Sequence, residues 1–237
     1  MEQLAISIID LRYAYPNGGL ALKGVSIQVH QGECVGVIGP NGAGKTTLLF
    51  HLNGIFQSKN GTVQVLGNNV CKGNMKRIRK EVGLVFQDPD DQLFMPTVFD
   101  DVAFGPINLG YDKAQVQQRV DQALCWMGMR GYEQRSPHQL SIGQKKRIAI
   151  ASVLSMDPQI LVLDEPTSNL DPRGKWDLIE LLQELPMTKV IASHDMEMIQ
   201  SLCQRTLILA NGQVVADDLT ESILSDNQLL RQHDLAR

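Results

Sequence analysis

Gly39-Pro40-Asn41-Gly42-Ala43-Gly44-Lys45-Thr46 decides the reading of this chain. The run has the spacing of a phosphate-binding loop. Cys34-Val35-Gly36-Val37-Ile38 leads into it as a short apolar stretch, which predicts a buried strand. Thr46-Thr47-Leu48-Leu49-Phe50-His51-Leu52 follows and predicts a helix. Strand, glycine loop and helix in that order give the motif its meaning. Glycines let the backbone curl until several N–H groups converge on one anion, and the helix N-terminus adds partial positive charge. Lys45 then reaches the β- and γ-phosphates, and the Thr46 hydroxyl is placed to ligate Mg²⁺. The expected ligand is a nucleoside triphosphate, held by Gly39 to Thr46 with Thr47 behind them.

The rest of the composition narrows the class. The chain has 237 residues, 43% of them apolar, and a formal net charge of −4. That length and apolar content supply a sizeable core. Acidity without a basic stripe argues against nucleic acid as the main partner. The basic run Lys76-Arg77-Ile78-Arg79-Lys80 reads as a solvated helix face. Cys34, Cys71, Cys125 and Cys203 are scattered, without zinc spacing or a disulfide framework. No apolar run approaches the length of about 20 residues that spans a bilayer, and the first residues carry no secretory pattern. A membrane role is expected to be peripheral, through another chain.

Working outward, Ala5 to Leu11 and Gly24 to Val29 read as strands of an antiparallel layer, joined through a turn at Asn17-Gly18-Gly19. Gly61 to Gly67 and Val82 to Phe86 predict two more strands. From about residue 88 to 156 the pattern turns helical. Asp112 and Gln115 form a candidate capping box, and Ser141 caps a helix running to about Ser155. Strands at 160–163 and 189–192 alternate with helices at 174–185 and 195–203. Asn211-Gly212 marks a hairpin, and 220–235 reads as helical and polar.

Two further motifs carry chemistry. Ile160-Leu161-Val162-Leu163-Asp164-Glu165 is an apolar strand ending in paired carboxylates. Strand ends in an α/β sheet deliver side chains to the ligand crevice. Asp164 is expected to hold Mg²⁺, and Glu165 to polarise the attacking water as general base. Leu140-Ser141-Ile142-Gly143-Gln144 puts a hydroxyl and free N–H groups of a helix start within reach of an anion.

Taken together, these pieces resemble the nucleotide-binding subunits of ABC transporters, over nearly the whole chain. The resemblance implies a single ABC ATPase domain, an α/β P-loop NTPase. Residues 1–87 and 157–237 would form an amino-terminal antiparallel β layer and a RecA-like core, and 88–156 an inserted α-helical subdomain. Leu140 to Gln144 resembles the family's signature motif, with Ile142 in place of the usual first glycine. Isoleucine does not readily take positive φ, so this position is expected to be helical already. Ser141, Gly143 and Gln144 are then the nucleotide-contacting positions. Tyr15 resembles the aromatic that stacks on adenine, and Gln87 the glutamine that contacts Mg²⁺ or the attacking water. Ser168-Asn169-Leu170-Asp171 resembles the family's D-loop, and His194 the switch histidine that reaches the γ-phosphate. His30, His51, His138 and His233 match no catalytic position.

The resemblance also implies partners. The helix opening at Ser141 would lie far from the phosphate loop of its own chain and complete a site on a second ATPase subunit. Two chains, expected as a homodimer, would sandwich two ATP molecules. Gln87-Asp88-Pro89-Asp90-Asp91-Gln92-Leu93-Phe94, Asp101-Val102-Ala103-Phe104-Gly105-Pro106 and His51-Leu52-Asn53-Gly54 look like the ATPases of energy-coupling factor importers, most closely the cobalt/nickel type. That implies an integral membrane coupling subunit, a substrate-binding membrane subunit, and a place on the cytoplasmic face of the cell membrane. Residues 88–110 would form a groove for a coupling helix. Leu93, Phe94, Met95, Val98 and Phe99 would line it, with Asp88, Asp90 and Asp91 at its rim. ATPases of vitamin-type or other ABC importers remain an alternative. From a different class, so do soluble ABC ATPases acting on nucleic acid or ribosomes, which typically carry two nucleotide domains or a long coiled-coil insertion.

Overall fold

The computed structural model describes residues 3–16, 18–57 and 60–236. Among the described residues, two sheets and two apolar cores organise the molecule. Strands β1 (Leu4–Ala14), β2 (Leu20–His30), β4 (Asn60–Val65) and β5 (Asn68–Asn69) form an antiparallel sheet in the order β2-β1-β4-β5. A second sheet runs β10 (Gln213–Leu219), β9 (Arg205–Ala210), β3 (Cys34–Ile38), β8 (Thr188–Ala192), β7 (Ile160–Asp164), β6 (Val82–Val85). All its pairs are parallel except the β9–β10 hairpin at the edge.

The central strands are apolar throughout because both faces are covered. Every residue of β3, β7 and β8 is buried. Alternate side chains feed opposite cores. Val35, Val37, Ile160, Val162 and Val190 join the core under the antiparallel sheet, along with Leu48, Leu49 and Leu52 of α1 (Lys45–Leu52). Cys34, Ile38, Leu161, Leu163 and Ile191 join the core under the helices. Those helices include α3 (Val98–Leu109), α4 (Lys113–Trp126) and α5 (Ile142–Leu154), all between β6 and β7, and two more that follow β7 and β8.

Local sequence explains the helix limits. Asp112 and Gln115 make the reciprocal capping bonds that open α4. Val116, Val120, Ala123 and Leu124 form its buried stripe. Asp171 caps α6 (Pro172–Gln183), with Pro172 at the first helical position. Asp195 caps α7 (Met196–Leu202). The Asn211-Gly212 turn has positive φ at both residues, as a two-residue hairpin requires.

Several boundaries differ from the sequence reading. β1 and β2 extend past Ala5–Leu11 and Gly24–Val29, through register shifts that carry them beyond their clean alternation. Asn17 of the expected turn lies outside the described residues; Gly18 has φ +89°. The strand expected over 61–67 stops at Val65, because Leu66 and Gly67 take positive φ and turn into β5. The basic run forms α2 (Met75–Glu81), whose Ile78 alone is buried. The tail splits at Asp226 into α8 (Thr220–Ser225) and α9 (Asn227–Gln232). No helix of the described residues is long and apolar enough to cross a membrane.

Candidate functional site

Parallel pairing puts the carboxyl ends of β3, β6, β7 and β8 on one edge of the sheet. The candidate site is built there, where an open α/β sheet presents its crevice. The Gly39–Thr46 loop follows β3. A Cβ at Gly39 would run into the carbonyl of Leu209, so the close strand approach excludes any side chain. Gly44 has φ +105°, and a Cβ there would sit 2.8 Å from the Ala21 carbonyl. With those two residues bent, α1 begins at Lys45. Lys45 Nζ lies in the mouth of the loop and donates to the carbonyls of Gly39 at 2.6 Å and Pro40 at 3.2 Å. Burial lowers its pKa, against the pull of Glu165 and Asp164.

β7 delivers the acid pair. The Thr46 hydroxyl donates to Asp164 Oδ2 at 2.6 Å. Burial raises the pKa of the Asp164 carboxyl, while that hydrogen bond lowers it. Glu165 follows at φ +46°, an uncommon conformation for a residue other than glycine. Its Oε2 accepts from Ser193 Oγ at 3.0 Å and His194 N at 3.2 Å, and lies 2.8 Å from His194 Nδ1. Ser193 is fully buried and Glu165 nearly so, whereas His194 is 68% exposed. One carboxylate oxygen is thus held by the β8 end. A carboxylate so fixed, beside an exposed imidazole, is suited to orienting a water for attack on a phosphoryl group.

The other predicted positions fall around this centre. Tyr15 and Thr47 share a hydrogen bond of 2.8 Å between their hydroxyls. Tyr15 also packs edge-on against Tyr13 and Phe56. Gln87 is exposed just past β6. It lines a cleft of about 500 Å³ together with Thr46, Asp164, Ile142 and Asn169. Ile142 is the first residue of α5, helical as its side chain demands. The start of α5 therefore stands on a wall of its own chain's cleft through Ile142. Ser141 and Gly143 do not line that cleft. The Ser141 hydroxyl accepts from Gln144 N at 3.3 Å, and the Gln144 side chain completes the capping box and donates to the Tyr132 hydroxyl. Gln144 is thereby occupied in shaping the helix start.

The expected groove is corrected in its residues and its charge. Leu93 and Val98 are buried in the helical core, and Phe99 packs against it. Of the five lining residues expected, only Phe94 faces a groove, a space of about 740 Å³. Its apolar floor comes from Ile55, Met75, Phe104, Leu109 and Met156. Its charged rim is basic, from Lys76, Arg79 and Lys80. Asp88, Asp90 and Asp91 line the other cleft, with Thr46 and Asp164. The reason is local: Asp88 caps a short 3₁₀ turn at Pro89–Asp91, and Asp90 pairs with Lys145 at 2.6 Å. The chain then turns back, pinned by Asp101, which accepts from the backbone N–H groups of Phe94 and Met95.

Sequence reasoning missed Ser193 and Lys146. Ser193 had no signal beyond its place between Ala192 and His194. Lys146 had one: it shares a helical face with Ala149, Ile150 and Val153, all buried.

A profile described as ABC transporter matches residues 22–168. The energy-coupling factor transporter ATP-binding protein EcfA of Methanothermobacter thermautotrophicus is 48% identical, over 97% of this chain and 76% of that protein. Among solved structures, cbiO1 of Clostridium perfringens, described as part of the ABC transporter complex cbiONQ, superimposes with a TM-score of 0.86. The two are 35% identical, over 99% of this chain and 96% of that one. An ATP-binding cassette solved as a dimer in a post-hydrolysis state, bound to ADP and Pi, gives a TM-score of 0.82. Its identity is 25%, over 91% of this chain and 98% of that one.

Proposed function

The chain belongs to the ATP-binding subunits of ABC transporters of the energy-coupling factor type, and we propose that it powers uptake of cobalt or nickel ions. It is an ATP-hydrolysing subunit by that membership. The metal assignment rests on the resemblance of residues 87–94, 101–106 and 51–54 to the cobalt/nickel type of these ATPases; the likeness to cbiO1 of the ABC transporter complex cbiONQ, over nearly the full length of both chains, supports the same kind of assembly. The metal is cargo carried by membrane partners, not a ligand of this chain. A second reading keeps the machine and changes the cargo. The 48% identity to EcfA, an energy-coupling factor transporter ATP-binding protein, supports the machine in either reading.

In this reading ATP lies on the Gly39–Thr46 loop with its phosphates against Lys45 and the N-terminus of α1. Tyr15 is the adenine platform. The residues present fit Mg²⁺: Thr46 Oγ1 and Asp164 Oδ2 already stand 2.6 Å apart, and both are hard oxygen donors of the kind this ion takes. Thr46, Asp164 and Gln87 would hold it, and it would neutralise charge on the phosphates. Glu165 takes the proton of the attacking water, and Ser193 holds that carboxylate in place. His194 moves between Glu165 and the γ-phosphate. Ser141 and Gly143, on the exposed start of α5, contact the nucleotide of a second ATPase subunit, so that two chains close on two nucleotides. The dimer of the ADP-bound cassette supports that arrangement. Residues 88–156 then act as the helical subdomain.

The groove beside α2 takes a short amphipathic helix from the membrane coupling subunit, with acidic residues facing Lys76, Arg79 and Lys80. Exposed Phe94 and Phe104, in edge-to-face contact, give it an apolar anchor point. This docking holds the chain on the cytoplasmic face of the membrane. Labelled-cobalt uptake into cells carrying the whole transporter tests the reading. Uptake that stops with Glu165→Gln is expected. Uptake of a vitamin with no uptake of cobalt or nickel would overturn the metal assignment.

A further inference from the structure

One buried ammonium joins parts of the site that are far apart in sequence. Lys146 is only 3% exposed, in the second turn of α5. Its Nζ donates to the Glu165 carbonyl at 2.9 Å, to Ser168 Oγ at 2.9 Å and to the Gln87 carbonyl at 3.2 Å. An ammonium has three N–H donors, and here each has an acceptor. Ser168 Oγ in turn donates to the same Glu165 carbonyl at 2.9 Å. Lysine is rarely buried without such pairing. Burial lowers the Lys146 pKa to about 8, even with Glu165, Asp88 and Asp164 nearby to favour its charge.

The acceptors matter more than the cation. The Glu165 carbonyl belongs to the residue with left-handed backbone, and that backbone angle sends its side chain toward Ser193 and His194. Conformations of this kind persist only where the surroundings over-determine them. Lys146 and Ser168 hold the carbonyl on one side while Ser193 and His194 hold the carboxylate on the other. Lys146 stands on the helix that Ser141 caps and Ile142 begins. A shift of that helix therefore pulls on the backbone of Glu165 and of Gln87 together.

We propose that Lys146 is a positioning residue for ATP hydrolysis, tying the backbone of Glu165 and Gln87 to helix α5 so that the placement of the helix start is transmitted to the Glu165 carboxylate. This rests on the reading of Glu165 as general base. The hydrogen bonds of Lys146 Nζ go to Glu165, Ser168 and Gln87 and none goes to the phosphate loop, so its removal is expected to act on turnover more than on nucleotide affinity.

The test is steady-state ATP hydrolysis by the purified full chain as Lys146→Met, Lys146→Gln and Glu165→Gln, with the Kd of a fluorescent ATP analogue measured for each. Displacing a reacting group by about 1 Å costs on the order of 10²-fold in rate. Lys146→Met is expected to lose about 10- to 100-fold in kcat with Kd unchanged within about twofold. Lys146→Gln keeps two N–H donors and is expected to recover part of that loss. A kcat for Lys146→Met within about threefold of the parent overturns the proposal. So does a loss of kcat matched by an equal loss of affinity, or a glutamine variant no better than methionine. Persistent turnover in Glu165→Gln would instead remove the base reading, whatever Lys146 does. Should Lys146→Met fail to fold, Ser168→Ala carries the test. It is expected to lose about three- to tenfold in kcat at constant Kd, and an unchanged kcat there overturns the proposal.

Discussion

Two clefts share a wall at Phe86, and they are opposites. On one side Thr46, Gln87, Asp88, Asp90, Asp91 and Asp164 line a polar space with the buried cation Lys146. On the other, Ile55, Met75, Phe94, Phe104 and Met156 line a larger apolar one with a basic rim. Phe86 borders both. In the polar cleft the side chains of Thr46, Asp88, Asp90, Lys146 and Asp164 are each held by a hydrogen bond or ion pair. The apolar groove leaves Phe94 64% and Phe104 44% exposed, as the proposed docking requires. In the proposed reading chemistry and docking stand back to back, on the two clefts that Phe86 borders.

Variants in each cleft should affect one activity and spare the other. The largest effect is expected from Glu165→Gln in the polar cleft. Removal of a general base costs about 10²- to 10⁴-fold in turnover. ATP-bound dimers should accumulate, as size-exclusion chromatography would show. Turnover near the parent rate would take Glu165 out of the base role. Next is divalent-ion removal. Chelation should stop hydrolysis without displacing the chain from membranes, since Thr46 and Asp164 lie in one cleft and the basic rim in the other.

A smaller effect belongs to the groove. Lys76→Glu with Arg79→Glu should weaken recruitment to membranes holding the coupling subunit by about tenfold, or about 1.4 kcal/mol. Hydrolysis by the free chain should stay within twofold of the parent, roughly the scatter expected of distant sites. Charge reversal at Asp90 and Asp91 should leave recruitment intact, because those residues face the nucleotide side. The reverse pattern in a flotation assay would restore the acidic rim expected from sequence.

The smallest effect is a pH dependence. Lys146 has a folded pKa of about 8, against an ordinary lysine value of 10.5. Between these values the unfolded chain binds more protons at this group than the folded chain does, so folding stability from it rises with pH. Glu165, Asp164 and Asp88 are the charged groups that bear on it. The melting temperature of the parent should therefore gain on that of Lys146→Met as pH rises from about 8 toward 10.5. A constant gap across that window would place the lysine in water.

The two clefts also differ in what the sequence discloses. The polar cleft was legible because phosphate chemistry dictates residue types at fixed spacing: glycines at 39 and 44, lysine at 45, carboxylates ending an apolar strand. The helix limits at Asp112, Ser141 and Asp195 were legible for a similar reason, since caps use a short list of side chains. The groove was not. Leu93 and Phe94 are adjacent and both apolar, yet one is buried and the other exposed, and only tertiary packing separates them. The sign of the rim was hidden in the same way. Asp90 finds Lys145 across 55 positions of sequence, while Lys76 and Arg79 reach the groove from a helix that sequence alone reads as plain solvated surface. Lys146 sits between these cases: its buried face shows in helical periodicity, but its three acceptors come from loops that no local pattern connects.

The central claim is that this chain drives a membrane importer from the polar cleft and is held to it by the apolar one. The most direct measurement is a gentle-detergent pull-down of the tagged chain from its native membranes, with the co-purifying proteins identified. A small integral coupling subunit together with a metal-binding membrane protein is the predicted result. Recovery of ribosomal or nucleic-acid-bound partners, with no membrane protein, would contradict it.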